Sequence, residues 1–178
     1  MDLKLAKYNF LQQKFENNVY SYSYYMLRNR MDAEDTTQEV LIKTWENINK
    51  FNILAAKTWM IRTTHNLCID KLRKRRNSTY KEITIDEEFA DTFEDNNSTN
   101  DPMTETHNKI MTENIKRVIK LLPETLRAVF ILYEMEGMKY REISSSLNIP
   151  INSVKVYLMR ARKRLQEELK EYELQEVI

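Results

Sequence analysis

The chain has 178 residues, 42% of them apolar, and a formal net charge of +1 that conceals basic clusters at 71–76 and 155–164 and an acidic one at 82–105. One Gly and three Pro exclude a turn-rich β fold, and abundant Lys, Glu, Leu, Ile and Met make all-α the expected class. The single Cys68 forbids an intramolecular disulfide, no apolar run approaches the roughly 20 residues that cross a bilayer, and Asp2, Lys4 and Lys7 interrupt any signal-peptide core, so a cytoplasmic chain without membrane insertion is expected.

Residues 4–28 read as a first helix with Leu11, Phe15, Val19, Tyr22 and Met26 on one face. Tyr20, Tyr22, Tyr24 and Tyr25 read as amphipathic packing rather than a base-stacking platform. A second helix is expected to start at Asp32 as N-cap, with Glu34 and Asp35 complementing the helix dipole. Ala33, Thr37, Val40, Leu41, Thr44, Trp45 and Ile48 make its inward stripe. Outward lie Asp35, Gln38, Glu39, Ile42 and Glu46. A solvated face explains the acids, whereas the aliphatic Ile42 among them suits a protein-docking patch.

After a connection over 51–55, a third helix is expected from about Ala56 to Arg76, with Met60, Ile61, Leu67, Cys68 and Leu72 supplying core contacts. Trp59, Arg62, Asn66, Asp70 and Arg73 step by three, four, four and three, so an indole, two guanidiniums and an amide share one stripe. A ring among cations suits unpaired bases, although Trp59 taken alone suits a side chain sealing the core. Lys71, Arg73, Lys74, Arg75 and Arg76 are dense enough for phosphate contact.

Residues 77–106 turn acidic and rich in Asn, Ser and Thr, with Asp101-Pro102 as a breaker and Ile83, Ile85, Phe89 and Phe93 as transient docking residues, which reads as a flexible linker. Two folded units on a tether follow. The second starts near His107 with Met111, Ile115, Val118 and Leu122 on one face. Pro123 opens the next helix, where Leu126, Val129, Phe130 and Tyr133 face inward and Gly137 ends it in a left-handed conformation.

Lys139 to Leu165 then has the pattern of a helix-turn-helix. Ile143 and Leu147 share a face, Ser144 is small where helices cross, Asn148 tolerates the left-handed turn, Ile149 points back to the core and Pro150 suits the start of the next helix. Val154, Leu158, Ala161 and Leu165 form a buried stripe, while Ser153, Lys155, Tyr157, Arg160, Arg162 and Arg164 offer donors to phosphates and base edges. An ordinary helical hairpin with a basic, solvated face is the competing reading; the turn chemistry favours DNA. His65 and His107 lack neighbouring metal ligands and no phosphate-cradling glycine loop is present, so no cofactor, no metal and no catalysis are expected.

AEDTTQEVLIKTWENINKF, with Asp35, Gln38, Glu39 and Trp45, resembles the polymerase-docking helix of the ECF (extracytoplasmic function) sigma factors of bacterial RNA polymerase. TWMIRTTHNLCIDKLRKRR, with Trp59, Arg62, Asn66, Asp70 and Leu72, resembles the segment that opens and reads their minus-ten promoter element, and the stretch from Leu122 to Leu165 resembles their minus-thirty-five reader. The resemblance covers nearly the whole chain. It implies two small helical domains, 1–78 and 106–178, joined by a flexible acidic linker, 79–105. It implies docking on core polymerase through Asp35, Gln38, Glu39 and Ile42, on the clamp of the largest subunit, with the flap of the second-largest as a further contact. Minus-ten contacts would come from Phe51, Asn52, Trp59, Arg62, Asn66, Arg73, Lys74, Arg75 and Arg76. Minus-thirty-five contacts would come from Arg141, Asn152, Ser153, Lys155, Val156, Tyr157, Arg160, Arg162 and Arg164. Promoter DNA, an anti-sigma factor and a nucleoid location in holoenzyme follow from the same resemblance.

The sequence also departs from that pattern. FNILAAK is shorter than the usual loop before Trp59 and lacks its Gly or Ser, Tyr157 stands where Arg is common, and Asn152-Ser153 replace Gly-Thr. The roles of Lys155 and Arg160 therefore carry over without the bases they read. A free-standing homodimeric helix-turn-helix regulator is the alternative, and it leaves the pattern from Asp32 to Arg76 unexplained.

Overall fold

A computed structural model describes residues 3–50, 52–79 and 115–175, the side chains of 78, 79 and 171–175 excepted. All regular elements among the described residues are helical. In chain order they are α1 Leu3–Leu27, α2 Arg30–Asn47, α3 Ile53–Thr79, α4 over 115–121, α5 Glu124–Phe130, α6 Tyr140–Leu147 and α7 Ile151–Gln175. The expected linker, Phe51, and the stretch from His107 to Met111 lie outside the described residues.

The first module stacks α1, α2 and α3. In α1 the predicted stripe is largely buried, with Leu11, Val19, Tyr22 and Met26 inaccessible. Its last turns break the pattern: every residue from Tyr22 to Leu27 is buried, because the second module closes over the side that faces away from α2 and α3. The start of α2 also differs from expectation. Asn29, extended at φ −145°, is the N-cap, and its side-chain oxygen accepts from the Asp32 amide at 2.9 Å. Asp32 therefore sits inside the first turn, where it pairs with Arg75 and, at 3.7 Å, with Lys71. Asn and Asp cap equally well, so spacing alone does not choose between them. Thr36, Thr37 and Thr44 are buried on α2 at little cost, since each hydroxyl donates to the carbonyl four residues back at 2.7–2.8 Å. Trp45 is not in the buried stripe. It stays 36% exposed, edge-on to Tyr8 with the Lys4 ammonium 4.1 Å from its ring centre. α3 begins at Ile53, earlier than expected, because the Asn52 side chain accepts from the Leu54 amide at 3.1 Å.

In the second module Pro123 is the residue before α5 rather than its first turn. Val129 is buried as expected, but Leu126, Phe130 and Tyr133 are only partly so; Arg127, Ala128, Ile131 and Leu132 take the interior. In α5 the inward face carries Arg127, whose side chain reaches the end of α1, and the π-helical turn over Ile131–Met135 that follows changes the winding only beyond it. Gly137 (φ 61°) ends this segment, and Asn148 (φ 54°) makes the left-handed turn between α6 and α7. The Ser144 hydroxyl clasps that turn by donating to the Ile149 carbonyl at 2.6 Å. Val154, Leu158, Ala161 and Leu165 are buried against α5 and α6 as the spacing required.

The two modules are not held apart. Tyr22, Met26, Ile61 and Cys68 of the first join Val118, Leu122, Val129, Leu132, Ile143 and Leu158 of the second in one continuous core. Within it, Tyr22 and His65 hydrogen-bond at 2.8 Å, and burial pushes the His65 ring down to about 4. An unfolded histidine titrates at about 6.5. Between those values the unfolded chain takes up a proton that the folded chain refuses, so stability falls as pH is lowered through this window and levels off below it. Urea midpoints between pH 7 and pH 4 are expected to fall by the equivalent of at most about 3 kcal/mol from this group. His65→Gln is expected to flatten that part of the profile; an equally steep decline in the variant would assign it elsewhere.

Candidate functional site

On the outer face of α2, Met31, Asp35, Gln38, Ile42 and Glu46 are exposed in one stripe, Met31 by 74% and Ile42 by 59%. Glu39 is half-buried and pairs with Lys43 at 3.4 Å. The stripe is therefore aliphatic with acidic flanks. Met31 was not among the sequence candidates, although it lies four residues before Asp35 and continues the same spacing.

On α3, Trp59 is half-buried against Val40, Leu41 and Met60, while Asn52, Arg62, Asn66, Asp70, Arg73 and Lys74 reach the surface. Arg62, although exposed, is engaged by the second module here. Its Nε donates to the Ser145 carbonyl at 3.1 Å, a second guanidinium N–H donates to the same oxygen, and Ser146 Oγ donates to the Thr58 carbonyl at 3.5 Å. α6 of the second module thus lies across the Thr58–Arg62 turn. The basic run at the end of α3 divides by role. Arg73 pairs with Asp70 at 3.5 Å on the surface, Arg76 reaches Glu124 of the second module at 3.7 Å, and Arg75 donates to the Leu27 carbonyl at 2.7 Å as well as binding Asp32.

The contact between modules centres on Arg127 of α5. Arg127 is 3% exposed, and its guanidinium donates to the Tyr25 and Met26 carbonyls at 3.3 and 3.2 Å. Its Nε has no partner among the described residues. Burial lowers Arg127 to about 10, which leaves it charged at neutral pH. The carbonyls it serves belong to the last turn of α1, where a helix carries partial negative charge and lacks internal donors. At the other end of the contact Asn18 bonds the Glu136 carboxylate, Lys57 donates to the Glu136 carbonyl at 3.0 Å, and burial pushes the Glu136 carboxyl up.

α7 presents Asn152, Lys155, Val156, Met159, Arg160 and Lys163 to solvent, and Arg141 is exposed on α6. Among the described residues neither Lys155 nor Arg160 is in an ion pair. Other candidates are used by the fold. Ser153 is half-buried and Tyr157 packs on the core. Arg162 binds Glu134 at 2.6 and 2.8 Å and lies 5.4 Å from the Tyr133 ring, which itself stacks on Tyr140 at 5.0 Å. Arg164 leans toward Glu168 at 3.9 Å. Met159 and Lys163 were not among the sequence candidates, although their helical angle, away from Val154 and Leu158, points to them.

No group of three His, Cys, Asp or Glu side chains that could hold a metal occurs among the described residues, and none of their helices is long and apolar enough to cross a membrane.

Residues 11–78 match Sigma-70 region 2 and residues 112–165 match Sigma-70, region 4. The chain is 30% identical over 167 residues to the ECF RNA polymerase sigma factor SigW of Bacillus subtilis, covering 88% of this chain and 86% of SigW. It is 28% identical over 156 residues to SigM of the same species, with 88% and 91% covered. In three dimensions it is similar to the sigma factor RpoE of Bartonella quintana, solved in complex with the anti-sigma factor NepR, with TM-score 0.73, 21% identity and 89% and 94% covered. CnrH, solved with the cytosolic domain of CnrY, superposes with TM-score 0.63 at 17% identity, 92% and 88% covered.

An α2–α3 module of the region 2 kind followed by a helix-turn-helix module of the region 4 kind defines a transcription initiation factor of the sigma-70 class. The chain belongs to the ECF RNA polymerase sigma factors, which direct core polymerase to particular promoters.

Arg127→Ala removes two charge-assisted hydrogen bonds and leaves two α1 carbonyls without their donor. The expected loss of stability is on the order of 2–4 kcal/mol, read from urea unfolding. A loss under about 0.5 kcal/mol, the range of ordinary surface substitutions, would show that the contact between modules does not form in solution.

Proposed function

We propose a division of labour in which α2 docks on the clamp of the largest polymerase subunit through Asp35, Gln38, Glu39 and Ile42. The observation that carries it is the exposed Ile42 within an acidic stripe on α2, beside a cationic stripe on the adjacent α3. That pairing lets one module hold protein and single-stranded DNA together. On α3, Asn52, Trp59, Arg62 and Asn66 would hold the displaced strand of the minus-ten element, with Arg73 and Lys74 on phosphates, so that binding biases the duplex toward opening. Phe51 belongs to the same proposed set by its place in sequence.

The second module, 106–178, would set α7 in the major groove of the minus-thirty-five element, with Asn152, Lys155, Val156 and Arg160 toward bases or phosphates and Arg141 on backbone, and would meet the polymerase flap. Elements centred about 25 base pairs apart are separated by about 85 Å of duplex at about 3.4 Å per pair. Modules sharing one core cannot span that distance, whereas the segment 80–105 would reach about 90 Å if fully extended at 3.3–3.6 Å per residue. The arrangement described above is therefore a closed state that opens on polymerase and promoter. A partner of the anti-sigma class, the kind bound by the Bartonella relative, belongs to the same reading. The protein would act in the cytoplasm, at the nucleoid when in holoenzyme, and catalyse nothing itself.

Two outcomes test this. Core polymerase reconstituted with the chain is expected to start at defined promoters, and Glu39→Lys with Ile42→Asp is expected to abolish holoenzyme formation at unchanged helicity; retained binding would remove the α2 face. Lys155→Ala is expected to cost about 1–3 kcal/mol with altered upstream preference if it meets a base, or a uniform loss across promoters if it meets phosphate. Unchanged promoter affinity would exclude Lys155.

A further inference from the structure

The directions taken by side chains on α7 are set by its winding, about 100° per residue. Val154, Leu158, Ala161 and Leu165 point into the core. Within 152–163, Val156, Lys163 and Asn152 lie nearest the opposite direction, with Met159 and Arg160 about 50° to either side of it and Lys155 about 90° round. Two of these outward residues are apolar, Val156 at 38% and Met159 at 62% exposure. Burying such side chains is worth about 25 cal/mol per Å² of apolar surface, so leaving them in water contributes little to the free protein.

Their neighbours narrow down what covers them. Lys155, Arg160 and Lys163 border the apolar strip with positive charge, and no acidic side chain of α7 precedes Glu167. That border fits the phosphate walls of a duplex groove, but phosphates offer nothing to an isopropyl group or a thioether. Within the major groove the apolar feature of a base pair is the C5-methyl of thymine. Three residues of helix rise about 4.5 Å, close to the about 3.4 Å step between stacked pairs, so Val156 and Met159 reach neighbouring or next-but-one base pairs.

We propose that Val156 and Met159 are specificity-determining residues that read thymine methyl groups in the upstream promoter element. The inference rests on the assignment of α7 to the major groove made above. It adds that the preferred element carries two thymines within three consecutive base pairs, on either strand, between the positions served by Lys155 and Arg160. Val156, stiff at its branched carbon, fixes one contact, and the flexible Met159 follows the other.

The test uses holoenzyme reconstituted from the full chain and core polymerase. Upstream sequences are selected from a randomised library, and the selected element is resynthesised with deoxyuridine replacing thymidine one position at a time, which removes only the methyl. Each of two substitutions is expected to weaken promoter affinity about fourfold, the value of one buried methyl-sized group. Val156→Ala and Met159→Ala are each expected to weaken the thymidine promoter and to erase the thymidine–deoxyuridine difference at one position. Equal affinity for both bases at every position would overturn the proposal, as would a difference that persists in both variants. Loss of core binding in the variants, with base preference intact, would make the strip a protein-docking surface and also overturn it. An enriched upstream element that still needs Lys155 but ignores the methyls would sink the methyl contact alone. Selection that enriches no upstream element would remove the groove assignment itself.

Discussion

The end of α1 must find hydrogen-bond donors for its last four carbonyls in a place that water does not reach. The Tyr24 carbonyl takes the Arg28 amide at 2.9 Å, Leu27 takes Arg75 of α3, and Tyr25 and Met26 take Arg127 of α5. Half of that helix end is therefore completed by the second module. Once Arg127 is seated, α5 is fixed over α1, and α6 is carried across Thr58 and Arg62 of α3. The same placement leaves the outer faces of α2 and α7 in solvent. Which candidate surfaces are covered and which are open is set by this guanidinium together with the shared core.

The chemistry of that contact suits a reversible closure. An aliphatic side chain in place of Arg127 would gain by burial and lose all of that gain on opening. A guanidinium instead gives up hydration when buried and regains it when released, so the net preference for the closed form is smaller than its hydrogen bonds suggest. Glu136 acts in the same sense: its carboxylate is bonded to Asn18 and its burial opposes the charged form. The shared core supplies the rest, with Tyr24, Tyr25, Leu122 and Val129 meeting between the modules. In the proposed opening, closure and release would thus be set by opposing contributions of similar kind.

Much of the fold was legible from periodicity and turn chemistry. The α7 stripe, the left-handed turn at Asn148 and the stop at Gly137 need only local rules, and they stand where spacing placed them. The departures have physical causes. Asn29 and Asp32 are equally good caps three residues apart, and the apolar phase of α2 does not separate them. The inward face of α5 is Arg127, Ala128 and Val129 rather than Leu126 and Phe130, because α5 docks Arg127 on the end of α1. Arg75 read as a phosphate contact and Arg127 carried no reading at all, because nothing local reveals that carbonyls from a distant helix end await them. Docking between modules is a long-range fact. The candidate site was correspondingly legible as three stripes, while the sorting of each stripe into fold and surface was not: Arg75, Tyr157 and Arg162 serve packing, and Met31, Met159 and Lys163 extend the open faces.

The claim on which the rest depends is that one chain closes on itself through Arg127 and opens to serve two promoter elements. The most direct measurement is the distance between spin labels at Asn17→Cys in α1 and Gln166→Cys in α7, both exposed, with the native Cys68 left in place because burial pushes its thiol up to about 12. The free chain is expected to give one short, narrow distance distribution that lengthens by several tens of ångströms when core polymerase and promoter are added. A distribution that is the same with and without polymerase and promoter, or one already long and broad in the free chain, would contradict the closed state.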